Sequence, residues 1–167
     1  MNKVRDFLDK IMRIFNATVL CILTLLVFWQ VVTRYILGAP STWSEELSSY
    51  LFAWTTMFGA AYIFGKREHM NIPIIVERCS KKNQNRLAIL SECLILLFAF
   101  TILIYGGIKI TVLTMGQKSS SLPLVMGYFY AGIPISGVFV AIYSILNIID
   151  LITQEKKVTY IKKEEEI

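Results

Sequence analysis

Histidine and charged side chains are scarce in this chain, and their scarcity excludes several kinds of site. His69 is the single histidine, so no haem can be held between two histidines of the chain. The 12 Asp and Glu residues do not converge in the middle of any apolar segment, and no Gly-rich phosphate loop or recognisable nucleophile setting occurs. We therefore expect neither an enzyme nor a cofactor or metal site.

Cysteine is also rare, and its spacing argues against a redox or metal role. The three cysteines, Cys21, Cys79 and Cys93, contain no C-x-x-C pair, and two of them lie inside apolar segments. Isolated cysteines in such surroundings behave as small hydrophobic packing residues. We interpret them in that way.

Long apolar segments are what the chain has in abundance. Hydrophobic residues make up 55% of its 167 residues and charged residues only 17%, against about a quarter in soluble domains. Each of four segments is long enough to cross a hydrocarbon core of about 30 Å. The sequence therefore predicts an all-α membrane protein, surrounded by lipids, with four transmembrane helices. The predicted spans are residues 14–37, 43–65, 86–116 and 127–152.

The net charge of +5 does not indicate a nucleic-acid partner, because the basic residues follow the membrane topology. Fourteen of the 17 Lys and Arg residues lie before the first span, between the second and third, or after the fourth. By the positive-inside rule, both termini and the central loop are then cytoplasmic. Arg34, Lys109 and Lys118 remain for the outer side.

Two shorter segments are predicted to lie at the cytoplasmic surface. Residues 1–13 have apolar side chains at helical spacing, which predicts an amphipathic helix that either lies on the membrane or extends the first span. A cleaved signal peptide is disfavoured, because the following apolar run is too long. In the central loop, Asn71 and Pro73 predict the start of a short interfacial helix. The tail, residues 153–167, is charged.

The second span carries most of the candidate functional residues. Thr42 and Glu45 have the spacing of a capping box, so a helix should begin there, and capping is the favoured role of Glu45. Glu46, Tyr50 and Trp54 share one helical face, which mixes polar and aromatic groups.

Small residues and polar groups within the spans predict contact with protein as well as lipid. Gly59, Ala60 and Ala61 form a small-residue patch that permits close helix packing. Gln30 in the first span is also expected to face protein.

Charged residues at the span ends leave several alternatives open. Arg34 lies across the outer turn from Glu45 and Glu46, so it can pair with either carboxylate, extend to the outer surface, or face a periplasmic partner. Arg67 and His69 end the second span, and we interpret them as residues of the cytoplasmic membrane interface.

Several of these residues together resemble the small membrane subunit of tripartite ATP-independent periplasmic (TRAP) transporters, the DctQ-like family. The residues that carry the resemblance are Arg34-Tyr35, Trp43-Ser44-Glu45-Glu46, Trp54, Gly59-Ala60-Ala61, and Arg67 with His69, with a weaker match at Pro123, Tyr128 and Ile133-Pro134. The resemblance covers roughly residues 10 to 152, and four spans with cytoplasmic termini suit it.

The resemblance implies a scaffold role in the bacterial inner membrane. A periplasmic binding protein would deliver an organic acid, of the sialic acid or C4-dicarboxylate class, to a large elevator-type subunit that binds both the substrate and sodium. This chain would brace the large subunit through Gln30, Glu46, Tyr50, Trp54 and the 59–61 patch, or use those residues for its own packing. Arg34, Glu45 and Lys118 would help to dock the binding protein.

A self-sufficient small exporter is the main alternative. Such a four-helix protein would act as a dimer around a membrane carboxylate. In this sequence the carboxylates lie at the ends of the spans, which disfavours that function.

Overall fold

The first half of the described chain forms two long helices. The computed structural model describes residues 2–66 and 81–153. Helix α1 (Asn2–Tyr35) runs without a break, so the amphipathic segment extends the first span instead of leaving it. A turn then reverses the chain, with Gly38 in the left-handed conformation that glycine adopts readily (φ 63°), and helix α2 (Thr42–Lys66) follows.

The second half forms two more helical rods, and neither is one continuous α-helix. The third rod consists of α3 (Lys81–Phe98), a π-helical segment (Ala99–Gly106) and α4 (Gly107–Thr114). The fourth consists of α5 (Met126–Tyr130) and α6 (Gly132–Ile152).

The break between α5 and α6 has a simple cause. Pro134 has no N–H to donate to the carbonyl four residues earlier, so the regular helix cannot run through this turn. The helix is interrupted at Ala131, within one turn of the proline that the sequence analysis expects to kink the span.

Within the described residues, three helical stretches are long and apolar enough to cross a membrane: Lys3–Tyr35, Gln84–Thr114 and Met126–Ile152. The predicted all-helical class is confirmed for the described residues, and the protein is a multi-pass membrane protein. Helix α2 is not among the three stretches. The Ser, Thr, Tyr, Trp and Gly residues within 47–65 lower the hydropathy of α2, so the predicted count of four spans is not confirmed. The expected interfacial helix after Asn71 and the tail from residue 154 lie outside the described residues.

Helices α2 and α6 form the centre of the bundle. Helix α6 packs on α2 at one side and on the third rod at the other, while α1 packs on α2. Ala61, Ala99, Val140 and Ala141 make one buried cluster, and Met12, Phe58 and Tyr143 make a second. The outer faces of α1 and the third rod expose large apolar side chains such as Phe28 (68%) and Leu113 (73%). Such surfaces suit contact with lipid or a partner helix.

The two ends of the bundle are different in composition. What we call the loop end contains the turn 36–41 and the loop 115–125. The terminal end contains the start of α1, the end of α2, the start of α3 and the end of α6.

Candidate functional site

Glu46 holds the outer loop at the loop end of the bundle. Its carboxylate accepts hydrogen bonds from the Ser119 hydroxyl (2.5 Å) and from the Ser121 backbone N–H (2.9 Å). The loop itself is a hairpin, because Lys118 and Val125 form an antiparallel bridge. Glu46 therefore fastens this hairpin to the first turns of α2.

Tyr50 and Trp54 continue the same face of α2 and bind the start of the fourth rod. The Tyr50 hydroxyl donates to Glu46 (3.1 Å), and its ring stacks on Phe129 with ring centroids 3.9 Å apart and planes within 6°. The Trp54 indole N–H donates to the Phe129 carbonyl (2.8 Å). That carbonyl lies just before the helix break at Ala131. Trp54 thus links α2 to the backbone of the fourth rod next to the break.

The close contact between Trp54 and the fourth rod depends on Gly132. A Cβ at this position would lie 2.6 Å from the indole nitrogen, far inside van der Waals contact. Glycine at 132 therefore permits the indole to approach the backbone. Trp54 on α2 thus donates the hydrogen bond, and Gly132 on the fourth rod leaves room for its indole ring.

Gln30 connects α1 to α2 near the loop end. Its side-chain amide donates to the Ser44 carbonyl (2.8 Å) and the Ser48 hydroxyl (2.7 Å). Gln30 therefore faces protein, and the protein it faces is its own α2. Its amide nitrogen uses both of its protons in these two bonds.

Arg34 and Glu45 form an exposed ion pair across the outer turn. The Arg34 guanidinium donates to the Glu45 carboxylate, and both side chains remain about half exposed, at 54% and 43%. Of the alternatives left open for Arg34, the structure has the pairing with one of the two carboxylates, that of Glu45. Lys118, in the neighbouring hairpin, is exposed as well. All three charges are accessible at the loop end.

The small-residue patch is divided between two different contacts. Ala61 is fully buried in the cluster between α2, α6 and the third rod. Gly59 faces α1 with room to spare, since a Cβ there would meet only the Asn16 side-chain oxygen, at 3.8 Å. Ala60 is half-buried. Arg67 and His69 lie outside the described residues, so their role at the membrane interface stays a prediction.

This geometry packs the loop end of the bundle and leaves charged side chains exposed there. The described residues contain no group of three or more His, Cys, Asp or Glu side chains able to hold a metal ion. The polar groups on α2 bind backbone and hydroxyl groups of the same chain, and three exposed charges surround them. Such a surface can contact another protein.

Comparison with known proteins identifies the family. Residues 23–154 match the family described as tripartite ATP-independent periplasmic transporters, DctQ component. The chain belongs to the DctQ family. The resemblance drawn from the sequence is confirmed, and the chain is a transport subunit of the TRAP class.

Relatives of this DctQ-family chain carry names that agree with this assignment. A Haemophilus influenzae protein, provisionally named as a TRAP transporter small permease protein, is 27% identical over 84% of this chain and 89% of its own length. The sialic acid TRAP transporter small permease protein SiaQ of Vibrio cholerae is 26% identical over 90% of this chain and 87% of that protein. The C4-dicarboxylate TRAP transporter small permease protein DctQ of the same organism is 24% identical over 62% of this chain and 44% of that protein.

Several structural partners in this DctQ-family chain were not found by sequence reasoning. Ser119 and Ser121 bind the polar face of α2, and Phe129 stacks on it. Their part of the sequence indicates only a loop and the start of a helix.

At the terminal end, Arg5 and Asn147 join a buried polar cluster. Buried positions of α6 recur at intervals of three and four residues: Ser136, Val140, Tyr143, Ser144, Asn147 and Leu151. This helical period in the sequence could have indicated that one face of α6 packs against protein.

Proposed function

We propose that this chain is the small scaffold subunit of a sodium-coupled TRAP transporter that imports an organic acid. It braces the large elevator-type membrane subunit and helps to dock the periplasmic binding protein. The large subunit binds the substrate and sodium. Two relatives named for sialic acid and C4-dicarboxylate transport support an acid of one of these classes.

The distribution of charge is the observation that carries this proposal. No charged residue occurs in 14–33, 47–65, 93–108 or 126–149, which form the inner parts of the four rods. An anionic substrate and a cation that cross a membrane need charged or polar partners near its midplane. In this chain the charges cluster at the helix ends, where they suit binding to other proteins. Transport chemistry then belongs to a partner subunit.

The proposed topology includes α2 as a fourth span in the bacterial inner membrane. With 25 residues, α2 is about 37 Å long, which exceeds a hydrocarbon core of about 30 Å. It packs between α1 and α6, both of which belong to apolar spans. The positive-inside rule orients the loop end toward the periplasm and both termini toward the cytoplasm.

Two groups of residues have separate roles in this proposal. Gln30, Glu46, Tyr50, Trp54 and Ala61 fix the shape of the face that α2 and its neighbours present to the large subunit. Arg34, Glu45 and Lys118 are accessible at the loop end, where a periplasmic protein arrives. The first group acts through packing within the subunit, and the second acts through direct contact.

A pull-down from native membranes tests the scaffold role. A tagged chain, solubilised in mild detergent, should recover a much larger polytopic membrane protein at equal stoichiometry by mass spectrometry. Recovery of the chain alone as a homodimer, together with transport by that dimer, would favour the small exporter instead.

A second experiment tests the packing group within the complex. Glu46→Ala and Trp54→Ala should each lower the yield of large subunit in the pull-down and the rate of uptake. Ser49→Ala is the matched control, because Ser49 is exposed on the same helix and donates only to the Glu45 carbonyl. If both Ala variants left yield and uptake unchanged, the packing role would be wrong.

A further inference from the structure

Arg5 joins the first turns of α1 to the last turns of α6. One guanidinium nitrogen donates to the Asp150 carboxylate (2.6 Å), and the other donates to the Gly65 carbonyl (2.6 Å) and to the Asn147 side-chain oxygen. The side chains of Arg5 and Asp150 are only 12% and 13% exposed. An ion pair this well covered is screened much less than a surface pair.

Asn147 extends this contact to the third rod, so that all four rods meet. Asn147 is 1% exposed, and its side-chain nitrogen donates to the buried carboxylate of Glu92 (3.0 Å). The Ser144 hydroxyl donates to the same carboxylate (2.9 Å). The terminal cluster, defined as Arg5, Gly65, Glu92, Asn147 and Asp150, thus contains one group or more from each rod.

A second set of contacts lies one and two turns further along α1. The Tyr143 hydroxyl donates to the Asp9 carboxylate (2.8 Å), and Met12, 1% exposed, packs with Phe58 and Tyr143. Arg5, Asp9 and Met12 have the spacing of one helical face. The face of α1 that meets the bundle near the N-terminus therefore combines the polar contacts of Arg5 and Asp9 with the apolar contacts of Leu8 and Met12.

Three other apolar residues of this segment face away from the bundle. Val4, Phe7 and Ile11 are 54%, 64% and 39% exposed. An amphipathic helix with such a face is attracted to the membrane interface. Leu8 and Met12 bury apolar surface against the bundle, but Val4, Phe7 and Ile11 draw the same segment toward the membrane interface. The polar contacts of Arg5 and Asp9 therefore add to the balance that keeps the segment docked.

We propose that Arg5 is a clasp that decides between two positions of residues 2–13. With the clasp formed, the segment is the continuation of α1 and closes the terminal end of the bundle. Without it, Val4, Phe7 and Ile11 draw the segment to the membrane interface. The clasp closes only after α6 has been made, because Asp150 lies 145 residues after Arg5.

The geometry requires arginine and not just a positive charge. Arg5 reaches three acceptors on α2 and α6 from two nitrogens held in one plane. A lysine ammonium is a point charge on a flexible stem and cannot reproduce that fork. Loss of the fork leaves the Asp150 carboxylate and the Asn147 oxygen covered without their donor.

Hydrogen–deuterium exchange of the full-length chain in lipid nanodiscs tests the clasp. In Arg5→Gln, backbone exchange in residues 4–13 should rise about tenfold or more, because a terminal helical segment without tertiary contacts frays. Residues 16–33 of the same helix should not change. Lys10→Gln is the matched control, since Lys10 is exposed in the same segment and should leave exchange unchanged.

Two further variants separate the clasp from general destabilisation. Asp150→Asn should also raise exchange in residues 4–13, and the double variant Arg5→Gln/Asp150→Asn should show no more than the larger single effect. Should Arg5→Gln fail to fold, Arg5→Lys is measured in its place and should show the same local rise. Wild-type exchange in Arg5→Lys, or fully additive effects in the double variant, would overturn the proposal.

Discussion

The carboxylate of Glu46 accepts a hydrogen bond of 2.5 Å from the hydroxyl of Ser119, although 73 residues separate the two in the chain. The preceding residue, Glu45, instead pairs with Arg34 on the exposed side of the same turn. Two consecutive acidic residues thus have different roles. One fixes a loop of its own chain, and the other belongs to an accessible charged surface.

The first prediction compares these two carboxylates. Glu46→Gln removes the charge that strengthens the bonds from Ser119 and Ser121, so the hairpin 117–125 should open more often. Hydrogen exchange in that hairpin should rise about five- to tenfold. Glu45→Gln is the matched control and should leave the hairpin unchanged, because an exposed ion pair contributes little to stability. Equal exchange in the two variants would contradict the assigned role of Glu46.

The second prediction concerns Trp54 and Gly132. Gly132→Ala should lower the free energy of unfolding by about 1–3 kcal/mol, because the new Cβ overlaps the indole. Trp54→Phe should cost about 1 kcal/mol for the lost hydrogen bond to the Phe129 carbonyl. Since the Cβ added in Gly132→Ala displaces the indole that makes this hydrogen bond, the two losses overlap, and the double variant should lose less than the sum of the single losses. Thermal unfolding in detergent measures all three; strict additivity would show that the two residues do not interact.

The third prediction is that substitutions at two positions of the small-residue patch, 61 and 59, change the stability of the bundle in opposite directions. Ala61→Leu should destabilise the bundle by about 1–3 kcal/mol, because Ala61 is fully buried between α6 and the third rod. Gly59→Ala should be neutral or stabilising by about 0.5–1 kcal/mol, because its Cβ meets nothing closer than 3.8 Å and alanine favours helix. Melting temperatures of the purified variants check both signs. A destabilised Gly59→Ala variant would mean that the patch is tight throughout.

The positions of the rods were predictable from the sequence, because apolar composition decides which segments enter a membrane. The start of α2 near Thr42 was also predictable from its local sequence, although Thr42 already lies inside the helix and the Glu45 carboxylate, expected to cap it, pairs with Arg34. The Arg34–Glu45 pair was one of a few open alternatives, because a short turn keeps both residues near the same end. Each of these features depends on neighbours in the chain.

The contacts of Glu46 and Arg5 were not predictable, because they depend on how distant rods pack. The partners of Glu46 lie in a loop whose hairpin shape has no strong local signal. For Arg5, the usual interpretation of an amphipathic helix assigns its charged face to water, whereas here part of that face meets the bundle. The π-helical segment Ala99–Gly106 likewise has no signature in its apolar sequence. Side-chain pairing between rods therefore had to come from the structure.

The last prediction tests direct contact with the periplasmic binding protein at the loop end. Arg34→Glu and Lys118→Glu reverse exposed charges without removing buried contacts, so the subunit should fold and assemble normally. Each should raise the binding-protein concentration needed for half-maximal uptake about three- to tenfold at low salt, with a smaller effect at high salt, because rim charges act mainly on association. Lys10→Glu, an exposed reversal at the terminal end, is the control and should change nothing. If the control and the two loop-end variants behaved alike, the binding protein would have to dock on the large subunit alone.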